Sequence, residues 1–385
     1  MSLIKNLRTW VEIDKRALIH NLKTFQKIIG RETELMAVVK ANAYGHGINV
    51  VGSILKSHKL KAKSCLWFGV DSIDEAIALR KAGVKNKILI LGWIPENRLE
   101  ETIKYNLSFS LYNSEIPEKF ADKRFKVHLK IETGTNRQGI LIDDLNRFAK
   151  LLADSNFKIE GLYSHLADSE NPDSNFWISQ VQNLEKARKI LAYNFIFPRY
   201  VHLASTAACL LYPETHFNLA RVGLGLYGLY PSKNLKADSY KKLKAELKPV
   251  LTWKTRIAQI KNIKKGGAIG YGKTYKAKKD LKIAILPVGY YDGYDRGLSN
   301  RGEVLIKSKR LKILGRVCMN MIMVDVTETQ SANRKAQNIR VGDEVILLGG
   351  KGKNRISAEE MAKKLDTINY EIITRINPLI ARIVI

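Results

Sequence analysis

Residues 35–47 read LMAVVKANAYGHG. An apolar run, Leu35 to Val39, stops at Lys40 and passes through Asn42 and Tyr44 into a Gly45-His46-Gly47 turn. A short apolar run bounded by glycine predicts a buried strand. A lysine at the end of such a strand gives up part of its hydration, and a partly desolvated amine is the form that serves as nucleophile or base. Taken as Lys-Ala alone, the same lysine would simply snorkel out of a core strand.

The same grammar repeats on either side. Asp14 can cap a helix whose Leu18, Leu22, Phe25 and Ile29 recur at helical spacing. Strands are predicted at 35–40, 65–70, 88–92, 107–112, 126–132, 158–163, 200–204 and 217–221, separated by helix signals. One such signal is a Ser72/Glu75 capping box ahead of Ala76, Leu79 and Ala82, with Gly83 as the stop. Eight strands, each followed by a helix-like stretch, predict an α/β fold with an N-terminal (β/α)8 barrel. An open doubly wound sheet is the alternative, although no GxGxxG fingerprint follows the first strand. Residues 233–248, KNLKADSYKKLKAELK, read as a polar linker. Beyond it, short β-rich runs punctuated by Gly-Gly, Gly-Tyr-Gly and Asp-Gly predict a mainly antiparallel β domain, interrupted by one helix at 357–365. The domains expected are 1–240 and 241–385.

Composition excludes several classes. The 385 residues suffice for two domains, each with its own core. No apolar run reaches the ~18 residues of a membrane span, so no membrane partner is expected. The N-terminus MSLIKNLRTWVEID has no apolar signal-peptide core. Three cysteines, Cys65, Cys209 and Cys318, form no paired framework, and no Cys/His cluster has metal spacing. A cytoplasmic protein without metal is expected. The net charge of +28 raises the prospect of nucleic acid, but the lysines are dispersed and few aromatics lie among them. A solvated basic surface, without a specific nucleic-acid partner, is the reading.

In a barrel, chemistry collects at the C-terminal ends of the strands, and phosphates often sit after strands seven and eight. Lys40 ends the first strand, His165 the sixth (GLYSHLADSE), and Ser205 and Thr206 follow the seventh (HLASTAA). Arg221, Gly223 and Leu224 close the eighth (NLARVGLGLYG). Each has a plain structural reading when taken singly; their shared rim is what makes them a site. In KVHLKIE (126–132), Val127, Leu129 and Ile131 share one face and Lys126, His128, Lys130 and Glu132 the other; an inward lysine would be a costly bare cation, and from the residues alone Lys130 reads as an ordinary exposed-face lysine.

The string AVVKANAYGHG (37–47) resembles the pyridoxal 5′-phosphate (PLP) lysine motif of alanine racemases. The resemblance continues through ETGTNRQG, GYGKTY (270–275), GYYDGYDR (289–296), GRVCMN (315–320) and TINYE, over nearly the whole chain. It implies that Lys40 holds PLP and that Tyr44, Ser205, Thr206, Gly223, Leu224 and Tyr370 cradle its phosphate. His165 would lie beside the pyridine ring and Arg221 would face its nitrogen. Lys40 and Tyr271 would be the two catalytic bases, for D-alanine and L-alanine respectively. Arg137 and Met319 would hold the substrate carboxylate, with Tyr290 and Asn320 at the entrance. Lys130 stands where many relatives carry a carbamylated lysine. The chain would be a homodimer with shared sites, supplying D-alanine for peptidoglycan. Asn320, the Ser205-Thr206 pair and the Thr135-Asn136 pair depart from the commonest family pattern. A broad-specificity amino-acid racemase, a PLP carrier without catalysis and a basic nucleic-acid-binding protein are the alternatives; the β domain and the Tyr271 motif speak against the carrier.

Overall fold

The computed structural model describes residues 2–58, 66–232, 246–327, 338–352 and 354–385. Most of the linker read at 233–248, and Cys65, lie outside them. The chain divides into two compact units, one formed by residues 16–43 and 51–248, the other by 1–15, 44–50 and 249–385.

The first strand, β1 (Thr9–Ile13), went unread in the sequence, being short and set in a charged N-terminus. Eight parallel strands follow in the first-named unit: β2 (Glu34–Val38), β3 (Leu66–Val70), β4 (Ile88–Ile90), β5 (Ser108–Leu111), β6 (Lys126–Lys130), β7 (Lys158–Tyr163), β8 (Tyr200–His202) and β9 (Leu219–Val222). All eight predicted strands are present. Their order, β8-β7-β6-β5-β4-β3-β2-β9, is that of a nearly closed ring. No ladder joins β8 to β9; the seam is held instead by Arg221 N–H donating to Ala204 O (3.1 Å) and Val201 N–H donating to Asn218 Oδ1 (2.7 Å). The strands are buried on both faces because helices cover the outside and side chains fill the inside. Met36, Trp67, Leu89, Tyr200 and Leu219 form an apolar cluster among them. The helix Lys15–Ile29 buries Leu18, Leu22, Phe25 and Ile29, the residues picked out by their spacing.

The second unit is antiparallel with one exception. Its strands are β10 (Leu251–Arg256), β11 (Gln259–Ile263), β12 (Ala268–Ile269), β13 (Tyr275–Lys276), β14 (Leu281–Leu286), β15 (Glu303–Ile306), β16 (Lys309–Lys312), β17 (Ile322–Asp325), β18 (Glu344–Lys351), β19 (Asn354–Ile356) and β20 (Ala381–Val384). The largest sheet runs β16-β15-β18-β10-β1-β20, with β19 beside β18. Here β1 pairs antiparallel with β10 and parallel with β20. Those two ladders are why residues 1–15, read as part of the barrel domain, lie with the β unit instead. β11, β14 and β17 form a second sheet, β12 and β13 a ribbon. The single helix expected at 357–365 is Ala358–Leu365, capped by Ser357; a second, shorter one spans Asn369–Thr374. Among the described residues no helix is long and apolar enough to cross a membrane, and no acidic, histidine or cysteine cluster could hold a metal.

Candidate active site

β2 delivers Lys40 to the rim, and the backbone then does something rare. Ala41, Asn42, Ala43 and Tyr44 all have φ between 51° and 54°, a full left-handed turn without glycine. Each such residue costs roughly 1–2 kcal/mol, and strain of this kind persists only where the surroundings over-determine it. Ala43 N–H donates to Val39 O (2.8 Å), and Asn42 N–H donates to Glu75 Oε1 (3.1 Å). Lys40 Nζ lies 3.5 Å from Asp71, and its side chain is 41% exposed, so the strand end desolvates it less than the sequence suggested. Ser72 Oγ accepts from Glu75 N–H as the capping box requires. Glu75's own carboxylate departs from that motif, accepting from Asp71 and Asn42 rather than Ser72.

Arg221, on β9, is buried, and no carboxylate among the described residues pairs with it. Nη1 donates to His202 Nδ1 (2.7 Å) and His202 O (3.1 Å); Nη2 reaches Ser164 O (2.8 Å), Leu203 O (3.0 Å) and His165 Nδ1 (3.2 Å). Nε–H, its fifth donor, has no partner among the described residues. Burial pushes the guanidinium down to about 10, so it remains charged at neutral pH. The pattern fixes tautomers, because a guanidinium only donates. His202 must accept at Nδ1, so its proton sits on Nε2 and is donated to His128 Nδ1 (2.8 Å). His128 then carries its proton on Nε2, a buried donor with no hydrogen-bond partner among the described residues, and its ring meets Trp67 edge-on at 5.3 Å. Burial pushes His165 and His128 down to about 3 and His202 well below its ordinary range, helped at His165 and His202 by the Arg221 cation and opposed at His128 by Glu160. All three stay neutral at working pH. Tyr163 stacks on His202 at 4.6 Å and locks the ring.

Thr206 opens the short helix that follows β8, and its hydroxyl accepts from Gly223 N–H (3.1 Å) and Gly225 N–H (3.4 Å). Ser205 Oγ lies 3.1 Å from Ser169 Oγ. Leu224 begins the 3-10 turn Leu224–Tyr227 just after Gly223. These groups bring hydroxyls and backbone amides together after the seventh and eighth barrel strands. Tyr44 and Tyr370, both in the β unit, have ring centroids 6.2 Å apart.

Lys130 points into the barrel as its register requires and donates to Gln138 Oε1 at 2.6 Å. Its Nζ also stands 5.8 Å from the Tyr163 ring centroid. Burial, then the cations of Arg137 and Arg221, push it down to about 8. Lys130, Glu132, Thr135, Arg137, Gln138 and His165 line one small cleft. Gln138 went unnoticed in the sequence because nothing in ETGTNRQG marks it as the lysine's acceptor.

In the β unit, Tyr271, Tyr290, Met319 and Asn320 line a single open cavity of about 860 Å³. Tyr271 sits on the turn Tyr271–Lys273, flanked by Gly270 and Gly272 at φ 72° and 70°, and is 72% exposed. Gly289 lets the 289–292 turn lie against the other wall, since a Cβ there would run into the Cys318 and Met319 carbonyls. Tyr290 N–H donates to Cys318 O and Tyr291 N–H to Met319 O. Arg296 and Arg316 line the same cavity. They close one sequence block and sit second in another, yet only the fold gathers them. Lys40 and Tyr271 thus belong to different units, each with its own half of the predicted residues.

Known proteins share this layout. Residues 13–231 match the family model described as "Alanine racemase, N-terminal domain", and residues 250–384 match "Alanine racemase, C-terminal domain". An alanine racemase of Carboxydothermus hydrogenoformans is 39% identical over 97% of this chain and 98% of its own. The Bacillus anthracis alanine racemase with bound L-Ala-P superposes at a TM-score of 0.89, with 32% identity over 98% of this chain and 95% of that one. The Bartonella henselae alanine racemase with covalently bound pyridoxal phosphate does so at 0.82, with 26% identity over 98% and 100%. With both family domains matched end to end, the chain belongs to the alanine racemase family.

Proposed function

We propose that this protein interconverts L-alanine and D-alanine with pyridoxal 5′-phosphate anchored on Lys40. The observation that carries this is the rim of the barrel itself. Lys40, His165, Ser205, Thr206 and Arg221 lie at strand ends on one side, with an amine, anion donors and a buried cation. That donor set fits the cofactor: Ser205, Thr206, Gly223 and Leu224 suit a phosphate, and the Arg221 guanidinium suits a ring nitrogen that must stay unprotonated. When bound, the group supplies an electron sink for the charge left at Cα on proton loss.

The chain's own residues do the rest. Inverting Cα needs a proton removed from one face and returned to the other, which two bases on opposite faces accomplish. Lys40 takes and returns the proton on the D-alanine side and Tyr271 on the L-alanine side. Arg137 and the Met319 backbone hold the carboxylate, while Tyr290 and Asn320 line the way in. Neutral His165 and His202 leave Arg221 the permanent cation at the back of the site. Tyr271's exposure in an open cavity supports a head-to-tail homodimer in which each subunit lends its tyrosine to the other. The two described cysteines, Cys209 and Cys318, are unpaired, in keeping with a cytoplasmic enzyme that makes D-alanine for peptidoglycan.

The test is direct. Purified protein should show a visible absorption band that borohydride abolishes, and should racemise L-alanine faster than serine or lysine. Lys40→Ala should lose both the band and the turnover. A Lys40→Ala protein that racemises at near wild-type rate would remove Lys40 from the reaction.

A further inference from the structure

Four consecutive left-handed residues with no glycine among them must be held by their surroundings. Inside the turn Ala43 N–H donates back to Val39 O. The Asn42 N–H leaves the turn and meets Glu75 Oε1 at 3.1 Å, on the helix Ile73–Lys81. The second oxygen of the same carboxylate, Oε2, accepts from Asp71 N–H at 2.9 Å. Asp71 in turn presents its own carboxylate 3.5 Å from Lys40 Nζ. The helix does not need Glu75's side chain for its own end, because Ser72 Oγ already caps it.

We propose that Glu75 is a positioning residue that sets the place of the Lys40 amine by clamping the left-handed turn after β2 to the loop after β3. The clamp needs two acceptors on one residue. A carboxylate offers both; an amide offers one acceptor and one donor, and the donor would face a backbone N–H. An alanine offers neither, and frees the turn to relax toward the right-handed region that its residues prefer. The loop that carries Asp71 loses its tie in the same step, so both the lysine and its ion-pair partner move. The proposal rests on the reading of Lys40 as the reacting amine.

The experiment compares wild type with Glu75→Ala and Glu75→Gln by amide hydrogen exchange across 40–45 and by steady-state racemisation. In Glu75→Ala the turn amides should exchange at least about tenfold faster, since the bond from Asn42 N–H to the Glu75 carboxylate is gone. Its kcat should fall by roughly 10- to 100-fold, the scale of a misplaced reacting group, with KM for L-alanine within about twofold. Glu75→Gln should fall between, a partial rescue that a merely structural role would not produce. Unchanged exchange at 40–45, or a kcat within twofold of wild type, overturns the clamp. Should Glu75→Ala fail to fold, Glu75→Gln decides by the same two measurements. If wild type itself does not racemise alanine, the reading of Lys40 fails, and exchange at 40–45 alone decides whether Glu75 holds the turn.

Discussion

Lys130 gives the structure its sharpest quantitative test. The amine lies inside the barrel with Gln138 Oε1 as its hydrogen-bond acceptor, and burial followed by Arg137 and Arg221 brings it to about 8. A lysine titrating near 8 instead of its ordinary 10.5 carries about 300 times more neutral amine at pH 7. Only the neutral amine attacks a small electrophile, whether cyanate or dissolved carbon dioxide. Labelling with cyanate over a pH series, read by mass spectrometry on the peptide containing Lys130, should therefore show a midpoint near 8, with about a tenth of the limiting rate left at pH 7. The midpoint reports the proton equilibrium and is insensitive to how slowly reagent enters. Gln138→Leu removes the acceptor that favours the ammonium and should move the midpoint lower. With 13C-labelled bicarbonate, a carbamate resonance should appear in the same pH range. The linkage has a definite sign: the folded state binds fewer protons than the unfolded one between about 8 and 10.5, so this group's contribution to stability rises with pH across that window. A Lys130 that labels with the midpoint of exposed lysines, above 10, would refute the argument from burial.

Two further outcomes test the division of labour. Tyr271→Phe should lower turnover by about 10²–10⁴, the usual range for a lost general base, while solvent deuterium exchange at Cα of D-alanine survives better than exchange from L-alanine; equal loss from both enantiomers would count against a face-specific tyrosine. Inactive Lys40→Ala mixed in equal amounts with inactive Tyr271→Phe, under conditions of subunit exchange, should recover about a quarter of wild-type activity, because half the dimers become mixed and each mixed dimer has one intact site. No recovery despite demonstrated exchange would mean that each site is built from one chain.

The barrel was legible because most of its strands are short apolar runs and its helices keep a 3.6-residue period. Leu18, Leu22, Phe25 and Ile29 all face the core as their spacing foretold. The strand Thr9–Ile13 was not legible: five residues with one buried polar position carry little periodic signal, and its partners lie far along the chain. At the site, a strand-end lysine, a strand-end histidine and small hydroxyls after the last two barrel strands could be read from position alone. Glu75 could not, since a capping box predicts a bond to Ser72 N–H and only the left-handed turn of residues 41–44 redirects the carboxylate. Nor could the tautomers of His202 and His128, which follow from a guanidinium that has nothing to accept. Local pattern reports which elements exist; the partners of a polar group are set by chain segments distant in sequence.

The ladder between β1 and β20 also bears on how the molecule is made. Trp10 pairs with Ala381, a separation of about 370 residues. At 5–20 residues per second, the ribosome needs on the order of 20–70 s to supply that partner after Trp10 has been synthesised. The barrel strands, which need only one another, have all emerged long before. The first strand to be translated is thus among the last to find its place, and the sheet that it completes belongs to the unit carrying Tyr271. A lesion or tag at the N-terminus should therefore delay or weaken the tyrosine-bearing unit while leaving the lysine-bearing barrel to assemble on schedule.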